Sequence, residues 1–300
     1  MNKPLFSIVI PSLNHGAYIE RALRSVIDQA ANDTEIILID GGSTDGSVEI
    51  IEKFSSMLDG ERFEKILKNT NIEHSTLNIE HRTINFRTRF LWCSEKDNGQ
   101  SAALNKGFAR ASGEYLFWLN ADDLLLPGTL AQVREYLRVH PACRWLAGNL
   151  VYIDEQDRVL WCACDGEWHD ALYRHAPVRV YGPSSVFSKR LFDEVGGFDE
   201  TLHYVMDTDL WLRFKKAGAR FSRLPYYFWG FRIHAGSKTA SDLMGRTTPE
   251  MADEQERMYL KNGLKVTQLG LCSQRIWRIL NGCYAKAWWD SRRRRSSLVR

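Results

Sequence analysis

No apolar stretch in this chain of 300 residues approaches the roughly 18–20 residues that a membrane-spanning helix needs. The six cysteines, Cys93, Cys143, Cys162, Cys164, Cys272 and Cys283, follow no zinc-ligand spacing, because Cys162-Ala163-Cys164 has no second pair. A chain this long and this apolar has no need of disulfides, so buried thiols in a reducing cytosol are expected. The N-terminus reaches a strand-like run at Phe6 without the layout of a signal peptide, which again points to the cytoplasm. A formal net charge of +3 is too small to imply a nucleic-acid partner. No Gly-x-Gly-x-x-Gly follows the first strand and no Gly-Lys-Ser/Thr phosphate loop occurs, which excludes the dinucleotide and P-loop fingerprints. There is no internal repeat and no low-complexity linker.

What is present is an ordinary globular composition, 44% hydrophobic and 26% charged, sufficient for one large domain or two small ones. The ten Trp are a high count, and several lie near a local basic run, Arg292 to Arg295.

Phe6-Ser7-Ile8-Val9-Ile10 reads as a first strand, and Ile19, Ala22, Leu23, Val26 and Ile27 recur at helical spacing. Glu35 to Asp40 is a second strand. Strand, helix and strand with short joins predict a parallel α/β sheet. A helix carrying Val48, Ile51 and Phe54 follows, then a polar stretch over 55–89 without period, read as an insertion. Phe90 to Cys93 is a short strand; Leu104, Phe108 and Ala111 mark a helix that Gly113 ends. Tyr115 to Leu119 is one buried strand, and Pro127 suits the first turn of a further helix.

In the second half, Arg144 to Ile153, Val159 to Cys164, Ser184 to Phe187 and Phe228 to Ile233 read as strands. Lys189 to Val195 and the stretch through Leu210, Phe214 and Ala217 read as helices. The simplest layout is one domain over 1–246, in two halves that divide at about 125, and a helical, basic extension over 247–300. In that extension Pro249 opens a charged helix. A second helix carries Leu269, Ile276, Leu280, Tyr284 and Ala287, then Trp288-Trp289 and the arginines. Apolar and aromatic residues on one side with cations between suit an anionic membrane interface. A helix packed on the domain is the competing reading.

In a parallel α/β sheet, ligands bind beyond the carboxyl ends of the strands. Pro11 to Asn14, Asp40 to Asp45, Lys96 to Gln100 and Asn120 to Asp123 all fall there, so four polar loops are expected to converge. Asp40 ends a buried strand, where a carboxylate must find donors; a pyrimidine N–H would supply one, as would the cap of the following helix. Asn120-Ala121-Asp122-Asp123 places neighbouring carboxylates at the end of a strand. They either cap a turn or share a divalent cation.

The wording of these loops resembles glycosyltransferase family 2, the inverting nucleotide-sugar transferases of GT-A fold. The similar stretches are Ser7-Ile8-Val9-Ile10-Pro11-Ser12-Leu13-Asn14, Asp40-Gly41-Gly42-Ser43-Thr44-Asp45-Gly46-Ser47, and Asp97 to Gly107 followed by Gly113-Glu114-Tyr115. Asn120-Ala121-Asp122-Asp123 is similar to that family's Asp-x-Asp metal motif with Asn at its first position. The order and spacing of these motifs are specific, and the resemblance covers about residues 5–240. It implies a substrate site drawn from Pro11, Ser12, Asn14, Asp40, Gly41, Asp97, Gln100, Asn105, Asn120 and Ala121, with Asp40 on the base. It implies Mg²⁺ or Mn²⁺ at Asp122, with Asp123 or Asn120 assisting. Gly196-Gly197-Phe198-Asp199-Glu200 and Met206-Asp207-Thr208-Asp209-Leu210-Trp211 resemble the acceptor-side segment, with Asp207 as catalytic base where Met206 replaces the usual preceding acid. Asp209 lies on another face of the same helix and reads as first-turn charge. Arg232-Ile233-His234 with Ser237 resembles a late motif whose His reaches the metal or the diphosphate. Trp211, Trp229 and Tyr204 would stack on a sugar or fill the core.

The expected activity is transfer of a sugar from a nucleotide diphosphate, UDP by resemblance with dTDP and GDP open, to a hydroxyl of a glycan or lipid-linked acceptor. Surface polysaccharide assembly at the inner face of the cell membrane is the expected setting. A nucleotide-sugar or glycan-binding protein of the same fold without activity is the main rival, resting on Asn120 and Met206. A nucleotidyltransferase would need a basic Gly-rich loop that Pro11-Ser12-Leu13-Asn14 does not provide, and a membrane-docking scaffold led by the tail is a third alternative.

Overall fold

The computed structural model describes residues 3–58, 88–238 and 248–294. Two compact units divide the chain, residues 1–134 and 135–300. The insertion expected over 55–89 lies outside the described residues except for its ends.

In the first unit the buried aliphatic runs become strands. β1 (Phe6–Ser12), β2 (Thr34–Asp40) and β4 (Tyr115–Trp118) are buried along their whole length, and β3 (Arg89–Ser94) is half-buried. They pair in parallel in the order β3-β2-β1-β4. Helices α1 (Ile19–Ile27), α2 (Ser47–Leu58) and α3 (Gln100–Arg110) connect them. α1 buries Ile19, Ala22, Leu23, Val26 and Ile27, the stripe that its spacing predicts. α3 lies close on the sheet because Gly107 has no side chain: a Cβ there would stand 2.4 Å from Val9 Cγ1. Gly113 does not end α3, which stops at Arg110; its N–H donates to Ser7 Oγ at 2.8 Å.

The parallel register sets Ser12 beside Asp40 and Asp40 beside Ser94. The strand ends, and the loops that leave them, therefore form one row. After β4 comes a two-residue strand, β5 (Leu124–Leu125), tied to α1 by Leu125 N–H to Ser25 Oγ at 3.0 Å. α4 (Thr129–Val139) begins two residues after Pro127, so the proline stands in the preceding turn rather than in the helix.

The second unit is built around β6 (Trp145–Ile153), buried throughout. β8 (Ser185–Ser188) and β7 (Val159–Ala163) pair with it antiparallel, and β9 (Ser222–Arg232) pairs with it in parallel. Short helices α5 (Asp170–Tyr173) and α6 (Lys189–Glu194) precede the longer α7 (Met206–Lys216). Trp145 stacks on Trp211 with ring centroids 5.2 Å apart, and Phe187, Phe214 and Phe221 complete an aromatic core.

The C-terminal residues belong to this unit. α8 (Pro249–Lys261) seats Met258 and Tyr259 against Val205 and Leu212. The single long helix expected after it is two, α9 (Gln268–Leu280) and α10 (Cys283–Arg294), because Gly282 takes φ 66° between them. α9 anchors through Arg278, whose guanidinium meets the buried Asp165 at 2.8 Å, and through Gln274 to Pro177 O at 2.7 Å. α10 anchors on β7, where Cys162 N–H donates to Ser291 Oγ at 2.8 Å. No described helix is long and apolar enough to cross a membrane.

Candidate active site

The four strand-end loops of the first unit do meet. Asn14, in the left-handed region at φ 56°, is where the β1 loop turns. Its N–H donates to Ser43 Oγ at 2.7 Å, and its Oδ1 accepts from Thr44 N–H at 2.9 Å. Gly16 N–H donates to Asp45 at 2.8 Å. Burial alone would raise the Asp45 carboxyl; hydrogen bonds from the Ser47 hydroxyl and the Gly16 and Ser47 amides outweigh it and hold the group below its ordinary range. The β1 and β2 loops are thus stitched into one wall.

Asp40 is the knot in that wall. It is fully buried, and its carboxylate accepts from Gly42 N–H (3.0 Å), Ser43 N–H (2.9 Å), Ser43 Oγ (2.5 Å) and Ser94 Oγ (2.6 Å). Its own loop and the neighbouring strand end supply these donors. Gly42 can adopt φ 87° because it lacks a Cβ, which lets the loop curl back over the carboxylate. The half-buried carboxylate at this end is Asp97. Its Oδ2 lies 3.2 Å from where a Cβ on Gly41 would stand, and its Oδ1 accepts from Gly99 N–H at 2.9 Å.

Beside it runs a relay of side chains. Gln100 Nε2 donates to Asn120 Oδ1 at 2.8 Å, and Asn120 Nδ2 donates to Asp123 Oδ2 at 2.9 Å. Both ends of the Asn120 amide are hydrogen-bonded inside the protein. Asp123 is buried at 1% exposure and Ala121 at 0%, so they orient the loop. Asp122 is half-buried, with His15 Nε2 3.8 Å from its Oδ2. Leu13 N–H donates to His15 Nδ1 at 3.2 Å, which places the ring proton of a neutral His15 on Nε2, toward Asp122. Sequence reasoning passed over His15; its place one residue after Asn14 was the available signal. Ser12 Oγ is buried with no hydrogen-bond partner among the described residues, and Asn105 is half-buried in α3.

No group of three or more His, Cys, Asp or Glu among the described residues stands ready for a metal ion. The donor set nevertheless suits Mg²⁺ or Mn²⁺. These ions bind phosphates through one or two carboxylates and keep several waters, and one accessible carboxylate is what Asp122 provides.

In the second unit Asp207 lies in the first turn of α7. Burial pushes its carboxyl up to about 6, against the hydrogen bonds it accepts from Thr208 and Gly182. Thr208 N–H donates to its Oδ1 at 2.6 Å. Asp209 is buried and bound to Arg213 at 2.7 Å, which removes it as a base. Trp211 is buried on every side, with its indole N–H donating to Val180 O at 3.1 Å, so it fills the core and cannot stack on a sugar. His234 closes the turn after β9, its Nδ1 accepting from Gly236 N–H at 3.2 Å and its own N–H donating to Ser237 Oγ at 3.0 Å.

The residue that sequence reasoning missed here is Glu254 of α8. Its buried carboxylate accepts from the backbone N–H groups of His203 (3.0 Å), Tyr204 (2.6 Å) and Val205 (2.9 Å). Those amides lead directly into α7, whose helix dipole favours a negative charge at its start. Lys238 joins the same cluster: its ammonium donates to His203 O and lies 5.2 Å from the Tyr204 ring centroid. Burial lowers the Lys238 pKa, while Glu254 and Asp207 oppose that.

Comparison with known proteins decides the class. The profile of "Glycosyl transferase family 2" matches residues 7–78 and 75–161. The chain belongs to that family. It is 31% identical over 217 residues to a PGL/p-HBAD biosynthesis glycosyltransferase of Mycobacterium bovis, covering 71% of this chain and 70% of that protein. It is 23% identical over 247 residues to an uncharacterized glycosyltransferase of Rickettsia prowazekii, covering 80% and 67%. Among solved structures it is similar to S. aureus TarS residues 1–349 in complex with UDP-GlcNAc. The TM-score there is 0.58 at 16% identity, over 84% of this chain and 65% of that one. It is also similar to the mannosyltransferase PcManGT from Pyrobaculum calidifontis in complex with GDP-Man and Mn²⁺, with a TM-score of 0.54 at 15% identity, over 87% and 72%. The fold is therefore GT-A, and this member of glycosyltransferase family 2 is a glycosyltransferase.

Proposed function

We propose that this family 2 member transfers a sugar from a nucleotide diphosphate to a hydroxyl of a glycan or lipid-linked acceptor, with inversion at the anomeric carbon. The observation that carries this reading is the cross-braced set of strand-end loops in the first unit. Asp40 and Asn120 hold the loops together, and Asp97, Asp122 and His15 line the same end of the sheet.

The roles divide accordingly. Asp97 and the Gly41 backbone read the base, with Pro11, Ser12 and Asn14 shaping the wall against it. Asp122 holds Mg²⁺ or Mn²⁺, and His15 donates from Nε2 to a diphosphate oxygen. The cation, when bound, offsets the charge that grows on the leaving nucleotide diphosphate. Asp207 accepts the proton of the acceptor hydroxyl as the new bond forms. A carboxylate raised to about 6 is ionised at neutral pH yet more basic than an ordinary one, which suits that task. Mn²⁺ with GDP-Man and UDP-GlcNAc in the solved structures support a nucleotide sugar as donor, and the biosynthetic glycosyltransferase of M. bovis supports a role in glycan assembly. We place that role at the cytoplasmic face of the cell membrane.

Calorimetry with UDP, dTDP and GDP, each with and without Mn²⁺, tests the donor half. Nucleotide should bind with metal and lose that dependence in Asp122→Ala; binding of equal strength in the variant would remove Asp122 from the site. A second reading, a nucleotide-sugar binder without transfer, is favoured by one observation, the hydrogen bonds that occupy Asn120. Donor hydrolysis by the purified protein separates the two.

A further inference from the structure

We propose that the outer face of α9 and α10 is a docking surface for an anionic lipid bilayer. The inference stands on the C-terminal helices alone and goes beyond the transferase reading. α9 uses Gly270, Gln274, Trp277 and Arg278 toward the second unit. Its opposite side carries Leu269, Cys272, Ile276, Ile279 and Leu280 at helical spacing, all of them exposed. Leu269 is 78% exposed and Leu280 79%. A helix stabilised by packing has no reason to place five apolar residues in water, and contiguous apolar faces of this kind mark interaction sites.

α10 continues the surface. Cys283, Ala287 and Ser291 turn inward, while Tyr284, Trp288 and Trp289 face out, the two tryptophans 54% and 56% exposed. Aromatic rings with a polar edge settle at the boundary between headgroups and acyl chains. Each aromatic carries a cation: Arg292 lies 4.1 Å from the Trp288 centroid, Arg293 5.7 Å from that of Trp289, and Arg278 4.4 Å from that of Tyr284.

The charge says which partner fits. Between Gln268 and Arg294 the sequence holds six cations against one acid, Asp290; Arg278 is bound to the buried Asp165, so Arg275, Arg292, Arg293 and Arg294 supply the cationic rim. Asp290 is bound to Lys286 at 2.7 Å. An apolar stripe, an aromatic belt and a cationic rim on one surface match a membrane that presents negative headgroups, which attract each nearby Lys or Arg. A second copy of this chain would bring the same cations against themselves. The lipid surface is therefore the occupant.

Vesicle flotation with the full chain tests this. On phosphatidylcholine vesicles containing phosphatidylglycerol the protein should float, with less recovered as salt rises; on phosphatidylcholine alone it should stay in solution. Arg292→Gln with Arg293→Gln should weaken partitioning about thirtyfold, at about fivefold per charge. Leu269→Ser with Leu280→Ser should abolish it, since each buried leucine is worth tenfold or more. All four positions are exposed, and an unchanged melting temperature shows that folding is intact. Equal binding to both vesicle types, or none to either, overturns the proposal. So does a solution dimer that the leucine pair dissociates, because the face would then belong to another copy. Nucleotide binding measured on the same variants should stay at the parent value, so failure of the surface is separable from failure of the donor site.

Discussion

Replacing Asp207 by Asn preserves the shape of the side chain and removes its charge, and the structure fixes what should follow in two independent readouts. Burial pushes this carboxyl from 3.8 up to about 6. At about 1.4 kcal/mol per pKa unit, the ionised form is disfavoured by about 3 kcal/mol at most, and by about 1–3 kcal/mol once solvent reaching a half-buried group is allowed for. The sign follows from proton counting. Below pH 3.8 folded and unfolded chains both hold the proton, and parent and variant are equally stable. Between 3.8 and about 6 the unfolded chain releases a proton that the folded chain retains, so the parent loses stability relative to Asp207→Asn. Above about 6 the gap is constant. At neutral pH the variant should melt several degrees higher, at about 2–4 °C per kcal/mol for a chain of this size. Transfer should fall by about 10²–10⁴, the usual contribution of a positioned base, and the parent's transfer should decline below about pH 6 as the base protonates. Thermal unfolding across this pH range and a nucleotide-release assay give both measurements. A melting difference that does not change with pH, or a variant that transfers as fast as the parent, would refute the assignment.

The remaining predictions concern residues whose roles the structure moved. Glu254→Ala leaves three amides before α7 without their acceptor, a loss of about 1–3 kcal/mol for each donor that water fails to reach; kcat should fall with nucleotide binding unchanged, and Glu254→Gln should recover most of it. Asp40→Asn turns an acceptor into a donor facing Ser43 and Ser94 and should lower both the melting temperature and nucleotide affinity. Asp97→Asn should weaken nucleotide binding without that loss of stability, and a result with the two positions exchanged would return the base contact to Asp40. Trp211→Ala should destabilise by about 3–5 kcal/mol as a core cavity, with the KM for acceptor unchanged in the protein that remains folded.

The first unit was legible because its strands are buried on every residue: β1, β2 and β4 read as continuous apolar runs ending in polar loops, and those loops do meet. What the sequence could not show was which side of the wall each polar group faces. Asp40 and Asp97 are both acids in loops at strand ends, yet one is sealed by Ser43 and Ser94 and the other is half-open. Trp211 looked like a sugar platform for the same reason: an aromatic that stacks on Trp145 and one that stacks on a ligand have the same letter. The break between α9 and α10 was hidden because the apolar period runs on through Asn281-Gly282, and only the positive φ reveals it. Glu254 was out of reach of any local pattern, because its partners lie 49 to 51 residues away.

The ion pair between Arg278 and Asp165 bears on how this protein can be cut. A boundary drawn after residue 246, where the pattern suggests a removable appendage, would strip the buried Asp165 of one of its two arginines and leave it with Arg179 and the Tyr181 hydroxyl. Shortened versions should therefore misfold or precipitate before they reveal anything about lipid, and surface substitutions are the cleaner instrument for separating attachment from catalysis.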